Sequence, residues 1–499
     1  MQTFFDDLAA LMYPSSQLHQ FGVNGKVSGS VGAIGEMQNV LAVLHGPRGC
    51  GFHYRYSARR RHQPFYPLLC SDLTEQEIIQ GGIDKLLSVV RGGWERFHPE
   101  LIFIIPTPVS DILSEDIESA AKLLKEEGIP AVSIRSELFS HRDKSYTRKR
   151  VREMADQKIT GDNRLEMELK GCGFTEALCA LVTQVMEPQP LRPYSVNIET
   201  VGWGNEGTLA LREIAAFLER CGVSVHTWIP SSSVPLLKTA PAAQLNLVKR
   251  VRWARMMQDR FKTDYLHLGG AGRYTGLEGV CTFYRDIAEK LGMAEKMEPL
   301  ILQEEKAALE RTYDIRKALS RRSCVLVCRG LQNAPFQIKL YAKDFGLSLR
   351  CVCLILTSDM SRDIGLTPAL LSKLMSRVQE AADLYAGGVT LLLNPPPQQL
   401  RTVFAEADAV VGTDDFTLEG MGAPLIPSMS ETMSYSFASY ERNLRRLYER
   451  MEGRIERKNL ILNRMPFDSQ HYPLIIERDM LASREMWKRM WLYRGEEAR

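Results

Sequence analysis

The feature that most constrains this chain is an alternation repeated along most of its length, in which short apolar runs that read as buried strands are each followed by a segment of helical spacing. Residues 41–44, 101–106 and 131–135 are such runs, with helices expected at 83–90 and 117–127. Strands alternating with helices of about ten residues form parallel βαβ units, because a crossover between parallel strands needs a helix-sized connection. The pattern breaks near Glu187-Pro188-Gln189-Pro190, where two prolines in a polar setting mark a linker. It restarts with strands at 194–199, 223–229 and 265–268 and helices at 209–221 and near 242–261. A third round carries strands at 324–328, 347–356, 389–393 and 409–412. The expected fold is α/β, with three Rossmann-like subdomains built on parallel sheets at 1–190, 191–320 and 321–439 and a helical tail at 440–499 packing on the body. At 499 residues the chain is too long for one core. Residues 1 to 40, with Gly22, Gly25, Gly29, Gly32 and Gly35, read as a flexible lead-in, and the charged run 141–168 as surface helices.

Several classes of function are set aside by composition. A net charge of +3 is too small to argue for nucleic acid, and no stretch approaches the ~18 uninterrupted apolar residues of a membrane span. The start, MQTFFDDLAALMYPSS, lacks the basic, apolar, small-residue succession of a signal peptide. Ten irregularly spaced cysteines do not form a secreted disulfide framework; in a reducing cytosol they are free thiols or cluster ligands, which places the chain in the cytoplasm. There is no phosphate-binding G-x-x-x-x-G-K-[ST] loop: Gly25-Lys26 is followed by Val27, which has no hydroxyl for Mg²⁺. Gly29-x-x-Gly32-x-x-Gly35 precedes a strand instead of following one. A reaction that needs ATP would draw it from another protein.

Chemistry concentrates in residues 41–82. The first apolar run ends in His45-Gly46-Pro47-Arg48-Gly49-Cys50-Gly51, a glycine-rich turn with a cysteine at its exit. Glycines on both sides of Cys50 remove side-chain bulk and let backbone amides and a large inorganic group approach its sulfur. Cys70 precedes Ser71-Asp72-Leu73-Thr74-Glu75, where Ser71, Asp72 or Thr74 suits the cap of a helix starting near Glu75. Arg55, Arg59, Arg60 and Arg61, interleaved with Tyr54 and Tyr56, form the densest basic patch, readable as a solvated helix face or as a docking site for an acidic reductase or anionic substrate; His53 and His62 lie beside it. The pairs Cys324/Cys328 and Cys351/Cys353 fit core packing: four strand residues spread the first pair about 13 Å, too far for one ion.

The segments HGPRGC at 45–50, SDLTE at 71–75 and Ile78-Ile79-Gln80-Gly81-Gly82 resemble, in this order, the landmarks of the nitrogenase component 1 family. That family includes the molybdenum-iron protein subunits, the cofactor-assembly scaffold and the dark-operative protochlorophyllide reductase. The resemblance implies that Cys50, and with it Cys70, ligates an iron–sulfur cluster shared with a partner subunit. The family's usual second cysteine falls two residues upstream of Cys70, at Leu68, and its third falls in a T-C-P-like context where this chain has Pro108. One or two ligands are left from this chain, against about four for a whole cluster. By the same resemblance a homologous subunit, in a heterodimer or heterotetramer more than a homodimer, completes the cluster, and a separate iron protein binds and hydrolyses ATP.

Residues 242–257 resemble the family's run around its active-site cofactor, but Lys249 and Arg250 occupy its His-Cys positions, 427–435 has no histidine, and 330–335 lacks the family's arginines. The expected function is a subunit of the catalytic component of a nitrogenase-like, ATP-dependent two-component reductase with no nitrogenase-type active-site cofactor of its own. The alternatives are a scaffold subunit for metallocluster assembly and a metal-free structural partner.

Overall fold

A computed structural model of the chain describes residues 26–60, 67–134, 144–156, 173–200, 204–268, 273–356, 361, 364–412, 425–426 and 435–452. The first sheet has the order β2-β1-β3-β4, with β1 at Val40–His45, β2 at Leu68–Cys70, β3 at Leu101–Pro106 and β4 at Ala131–Ser133, all paired in parallel. β1 and β3 are buried at every position, as central parallel strands covered on both faces must be. Successive residues serve two cores. Ala42, Leu44, Phe103 and Ile105 pack with the helices Lys26–Ile34 (α1) and Gly173–Gln184, whereas Leu41, Val43, Ile102 and Ile104 pack with Ile83–Phe97 and Ile117–Glu126.

The expected flexible lead-in is corrected here: residues 26–34 are the helix α1, and the expectation for 1–25 lies outside the described residues. Its glycines serve contact. A Cβ on Gly29 would stand 2.8 Å from the backbone nitrogen of Phe174, and one on Gly32 2.9 Å from the Phe174 ring, so α1 lies directly on the helix Gly173–Gln184. Of the charged run 141–168, Lys144–Asp156 is helical and the remainder lies outside the described residues.

The second sheet has the order β6-β5-β7-β8, with β5 at Arg192–Glu199, β6 at Ser224–Ile229, β7 at Ala243–Val248 and β8 at Asp264–His267. Here the helix expected from 242 is overturned: β7 occupies that stretch and the helix is only Val251–Phe261. Ala-Gln-Leu-Asn-Leu-Val has the two-residue period of a strand. Its central Asn246 is tolerated in the core because its Oδ1 accepts a 2.8 Å hydrogen bond from Asn197 Nδ2 on β5.

The third sheet, in the order β11-β10-β9-β12-β13, comprises β9 (Ser323–Arg329), β10 (Ser348–Ile355), β11 (Thr390–Leu393), β12 (Ala409–Val411) and β13 (Leu425–Ile426). Cys324 and Cys328 face one of its cores, Cys351 and Cys353 the other, and all four thiols are buried. Of the expected helical tail, Phe437–Met451 is helical and 453–499 lies outside the described residues.

Because Leu44 is fully buried at the end of β1, Leu44→Ala is expected to cost about 3 kcal/mol, against ~0.5 kcal/mol or less for the exposed Ile79→Ala. Denaturant midpoints of the two variants check the contrast.

Candidate functional site

The carboxyl edge of the first sheet brings the two sequence-predicted cysteines together. β1 runs into Gly46-Pro47, the helix Arg48–Arg60 (α2) begins, and Cys50 stands in its first turn. β2 pairs Leu44 with Cys70, so the second thiol emerges beside that turn. The glycine after Cys50 closes the gap: a Cβ on Gly51 would stand 3.0 Å from Cys70 Cβ and 3.4 Å from its Sγ. Cys70 Sγ donates to the carbonyls of Gly46 and Pro47 at 3.2 and 3.4 Å, which lead into Cys50. Both thiols are half-buried. Burial pushes the Cys50 thiol up from its ordinary pKa, and the neighbouring Cys70 pushes in the same direction.

Charged groups pin the two cysteine segments to each other. Arg48 Nε and Nη2 donate to the Asp72 carboxylate at 3.1, 3.0 and 2.5 Å, a bidentate pair that spans from just before Cys50 to just after Cys70. The same contact holds the Asp72 carboxyl below the usual carboxylate range. Lys85 Nζ donates to Asp72 O at 2.7 Å, and Arg55 donates to Leu68 O through Nε and Nη2, at 3.2 and 2.6 Å, which ties α2 to β2. Of the expected basic patch Arg55 thus has a structural task; the side chains of His53, Arg59 and Arg60, and residues Arg61 and His62, lie outside the described ones.

Of the three candidates to cap the helix Glu75–Gln80 (α3), Thr74 does so, in a capping box with Glu77. Ser71 is buried and engaged elsewhere. Its Oγ lies 2.9 Å from His45 Nδ1 and 2.9 Å from the Gly46 amide, and His45 Nε2 lies 2.5 Å from Glu115 Oε2. These partners were not singled out in the sequence; Glu115 stands 70 residues beyond His45 in a short acidic loop, with no local signal of the pairing. Pro108 opens the short helix Pro108–Ile112 (α4), with Thr107 as its N-cap, so its place is filled by a helix start.

Exposed apolar side chains fringe this edge: Phe52 on α2 is 68% exposed, Ile79 on α3 83% and Ile112 on α4 63%. Among the described residues no group of three or more His, Cys, Asp or Glu is placed to hold a metal ion, so Cys50 and Cys70 form a pair of donors and not a complete set. Among the described residues, too, no helix is long and apolar enough to cross a membrane.

Lys249 and Arg250 lie where β7 meets the helix Val251–Phe261, at the carboxyl edge of the second sheet. Buried Glu199 accepts both of their backbone amides, at 2.9 and 3.0 Å, together with Trp253 Nε1 at 3.0 Å and Arg250 Nη1 at 2.5 Å. The Arg250 guanidinium also lies over the Phe174 ring, 4.7 Å from its centre. Burial brings the Lys249 ammonium down to about 8. The residues expected at 427–434 lie outside the described ones.

The fold favours the thiol form of Cys50, so that contribution to stability is present below the ordinary thiol pKa and is lost as pH rises through the raised folded value. Cys50 is therefore expected to reach half-maximal alkylation at a higher pH than a free cysteine, and Cys70→Ser to lower that midpoint. Alkylation rates followed by mass spectrometry across pH 7 to about 11 check both shifts.

Residues 26–354 match the family described as Nitrogenase component 1 type Oxidoreductase. The chain is similar to the nitrogenase molybdenum-iron protein alpha chain of Clostridium pasteurianum, 25% identical over 63% of this chain and 56% of that protein. It is similar as well to the nitrogenase iron-molybdenum cofactor biosynthesis protein NifE of Methanococcus maripaludis, 25% identical over 58% of this chain and 56% of the other. One of the subunits of the light-independent protochlorophyllide reductase of Heliobacterium modesticaldum is 25% identical over 54% of this chain and 47% of its own length. The chain thus spans about half the length of the curated relatives it matches. The solved structure of nitrogenase Cp1 at pH 5 shares its fold, with a TM-score of 0.53 at 18% identity over 86% of this chain and 88% of that one. With the matching segment running from α1 through β10, across all three sheets, this chain belongs to the nitrogenase component 1 type oxidoreductase family.

Proposed function

We propose that this chain is a subunit of the catalytic component of a two-component reductase, in which Cys50 and Cys70 are its ligands to an iron–sulfur cluster shared with a homologous subunit. The observation that carries the reading is the thiol pair: two half-buried cysteines from separate segments, set side by side by the Leu44–Cys70 register and by the missing side chain of Gly51. The donor set fits such a group in kind and by half in number, since a cluster takes about four thiolates. A partner surface has to supply the rest, and the apolar fringe of Phe52, Ile79 and Ile112 around the thiols is the kind of surface a partner covers. When bound, the cluster supplies one-electron transfer. The chain's own part is to hold two ligands, orient them through the Arg48–Asp72 clamp and keep water from the sulfurs. By the family resemblance electrons and ATP hydrolysis come from a separate iron protein, in keeping with a sequence that has no G-x-x-x-x-G-K-[ST] loop.

The second sheet's edge supports a division of labour. A lysine and an arginine, the latter paired with Glu199, stand where the family resemblance puts cofactor ligands, and neither is a soft or imidazole donor. On this reading the substrate binds in the cleft at the sheets' carboxyl edges without a nitrogenase-type active-site cofactor held by this subunit. A second reading, a scaffold subunit for metallocluster assembly, is favoured by the similarity to NifE. Turnover with the cognate iron protein separates the two: product that depends on ATP and reductant supports the enzyme, and transfer of a cluster to an acceptor protein supports the scaffold.

Anaerobic purification with any co-purifying subunit is expected to yield iron and acid-labile sulfide, and Cys50→Ala to lose most of both. Full iron content in that variant would remove Cys50 from the cluster. Cys70→Ser is expected to lower iron retention as well, by ~10-fold or more against a competing chelator.

A further inference from the structure

We propose that Glu115 and His45 are positioning residues that fix the hydrogen-bond direction of the thiol loop and, with it, the electron affinity of the metal group the thiols hold. The inference rests on the cluster reading above and adds to it two residues that touch neither thiol directly.

The chain of contacts is continuous and almost dry. Glu115 is nearly buried and His45 fully so. Glu115 Oε1 accepts the Gly82 amide, and its Oε2 faces His45 Nε2 at 2.5 Å. A carboxylate only accepts, so the imidazole carries its proton on Nε2. Burial pushes the His45 pKa down, which keeps the ring neutral and leaves Nδ1 as an acceptor. Ser71 Oγ, 2.9 Å away, then donates its hydrogen to Nδ1, and its lone pairs are free to accept the Gly46 amide at 2.9 Å. Every bond therefore runs one way, from the Gly46 N–H through Ser71 and His45 to the carboxylate. The carbonyl of the same residue, in the next peptide along, receives the Cys70 thiol. The far end of the relay thus sits on the peptide that leads into Cys50 and on the residue after Cys70.

The surroundings are shaped to admit these groups. A Cβ on Gly82 would stand 2.5 Å from Leu73 Cδ2, 3.0 Å from Glu115 Oε1 and 3.2 Å from His45 Cε1. A Cβ on Gly46 would stand 2.2 Å from Thr107 Oγ1, which itself donates to His45 O at 2.8 Å. The carboxylate sits between three segments: the end of β1, the start of the helix Ile83–Phe97 and the loop after α4. A loop that needed only to be fixed would be held as well by apolar packing, because burying a charged group costs free energy that an apolar side chain does not. What the carboxylate adds is a fixed negative charge behind the ligand loop, and outer groups of this kind tune both the retention and the electronics of a metal site.

The test uses the anaerobic complex with its co-purified partner, comparing Glu115→Gln with the parent. Glutamine keeps the size and removes the charge; its oxygen can accept the Gly82 amide only if its NH2 donates to His45 Nε2, which moves the imidazole proton to Nδ1 and reverses the relay. Expected are an unchanged thermal midpoint, a more positive reduction potential, an altered electron paramagnetic resonance spectrum of the reduced cluster and iron retention against a chelator reduced ~10-fold. A fully loaded Glu115→Gln complex with the parent's potential and spectrum overturns the proposal. Should that variant fail to assemble, Ser71→Ala, which cuts the relay while leaving the His45–Glu115 hydrogen bond, is expected to alter the same spectrum, and an unaltered one overturns the proposal equally. A parent complex without iron sinks the cluster reading and not the relay. The relay is then decided on the metal-free chain by the alkylation rate of Cys70 at one fixed pH, expected to rise in Glu115→Gln; an equal rate overturns it.

Discussion

The arrangement of the thiol edge depends on how one strand ends. β1 is buried along its whole length, so its last residue, His45, is carried into the interior before the chain turns at Gly46. An imidazole delivered there must be satisfied, and a buried polar group without a partner would cost several kcal/mol. Ser71 and Glu115 satisfy it, and in doing so they draw the end of β2 and the loop after α4 onto the turn. The two cysteines are brought to one place by that closure and by the parallel register that sets Leu44 against Cys70.

Close approach is the second requirement, and it explains the glycines that flank the thiols better than flexibility does. Gly51 lets α2 lie against Cys70, and Gly46 and Gly82 leave room for Thr107, Leu73 and the His45–Glu115 pair. The surface above is treated differently. Arg48 and Asp72 bridge the two thiol segments in water, where solvent screens such a pair, so the clamp orients more than it stabilises. Rigidity comes from the buried layer, and orientation from the exposed one.

Much of this was legible in the sequence, and the exceptions have physical causes. β1 and β3 stood out because strands covered on both faces are continuous apolar runs with no competing reading. β7 was hidden because Gln244 and Asn246 interrupt its apolar run and the helical spacing of the next segment begins soon after; only the partner Asn197, on another strand, makes the polar residue acceptable. The glycines of α1 lower helix propensity and give it the look of a flexible lead-in, and their use as a contact surface requires the helix Gly173–Gln184, far along the chain. Cys50 and Cys70 announce themselves through local glycine and turn chemistry. Glu115 does not, since an acid in a short polar loop looks like surface until the fold buries it against His45.

The carboxyl edges of the first and second sheets carry contrasting donors, and the contrast bears on what each can bind. The first presents sulfur, half-buried and backed by a fixed carboxylate. The second presents Lys249 and Arg250, the latter paired with Glu199, groups suited to anions and protons and not to soft metals. Glu36 joins the two sheets at other ends: it lies just before β1, at the first sheet's amino edge, and its Oε2 accepts Thr200 Oγ1 at 2.7 Å and Ser231 Oγ at 2.9 Å from the loops at the second sheet's carboxyl edge. The Gln38 amide also donates to Ser232 O at 3.3 Å. These contacts fix the second sheet's cationic edge against the start of β1, and the buried length of β1 separates that point from the sulfur edge. On the proposed reading the redox group is placed by one sheet and the substrate by the next, with the distance between them set by β1 and the turn that leads into it.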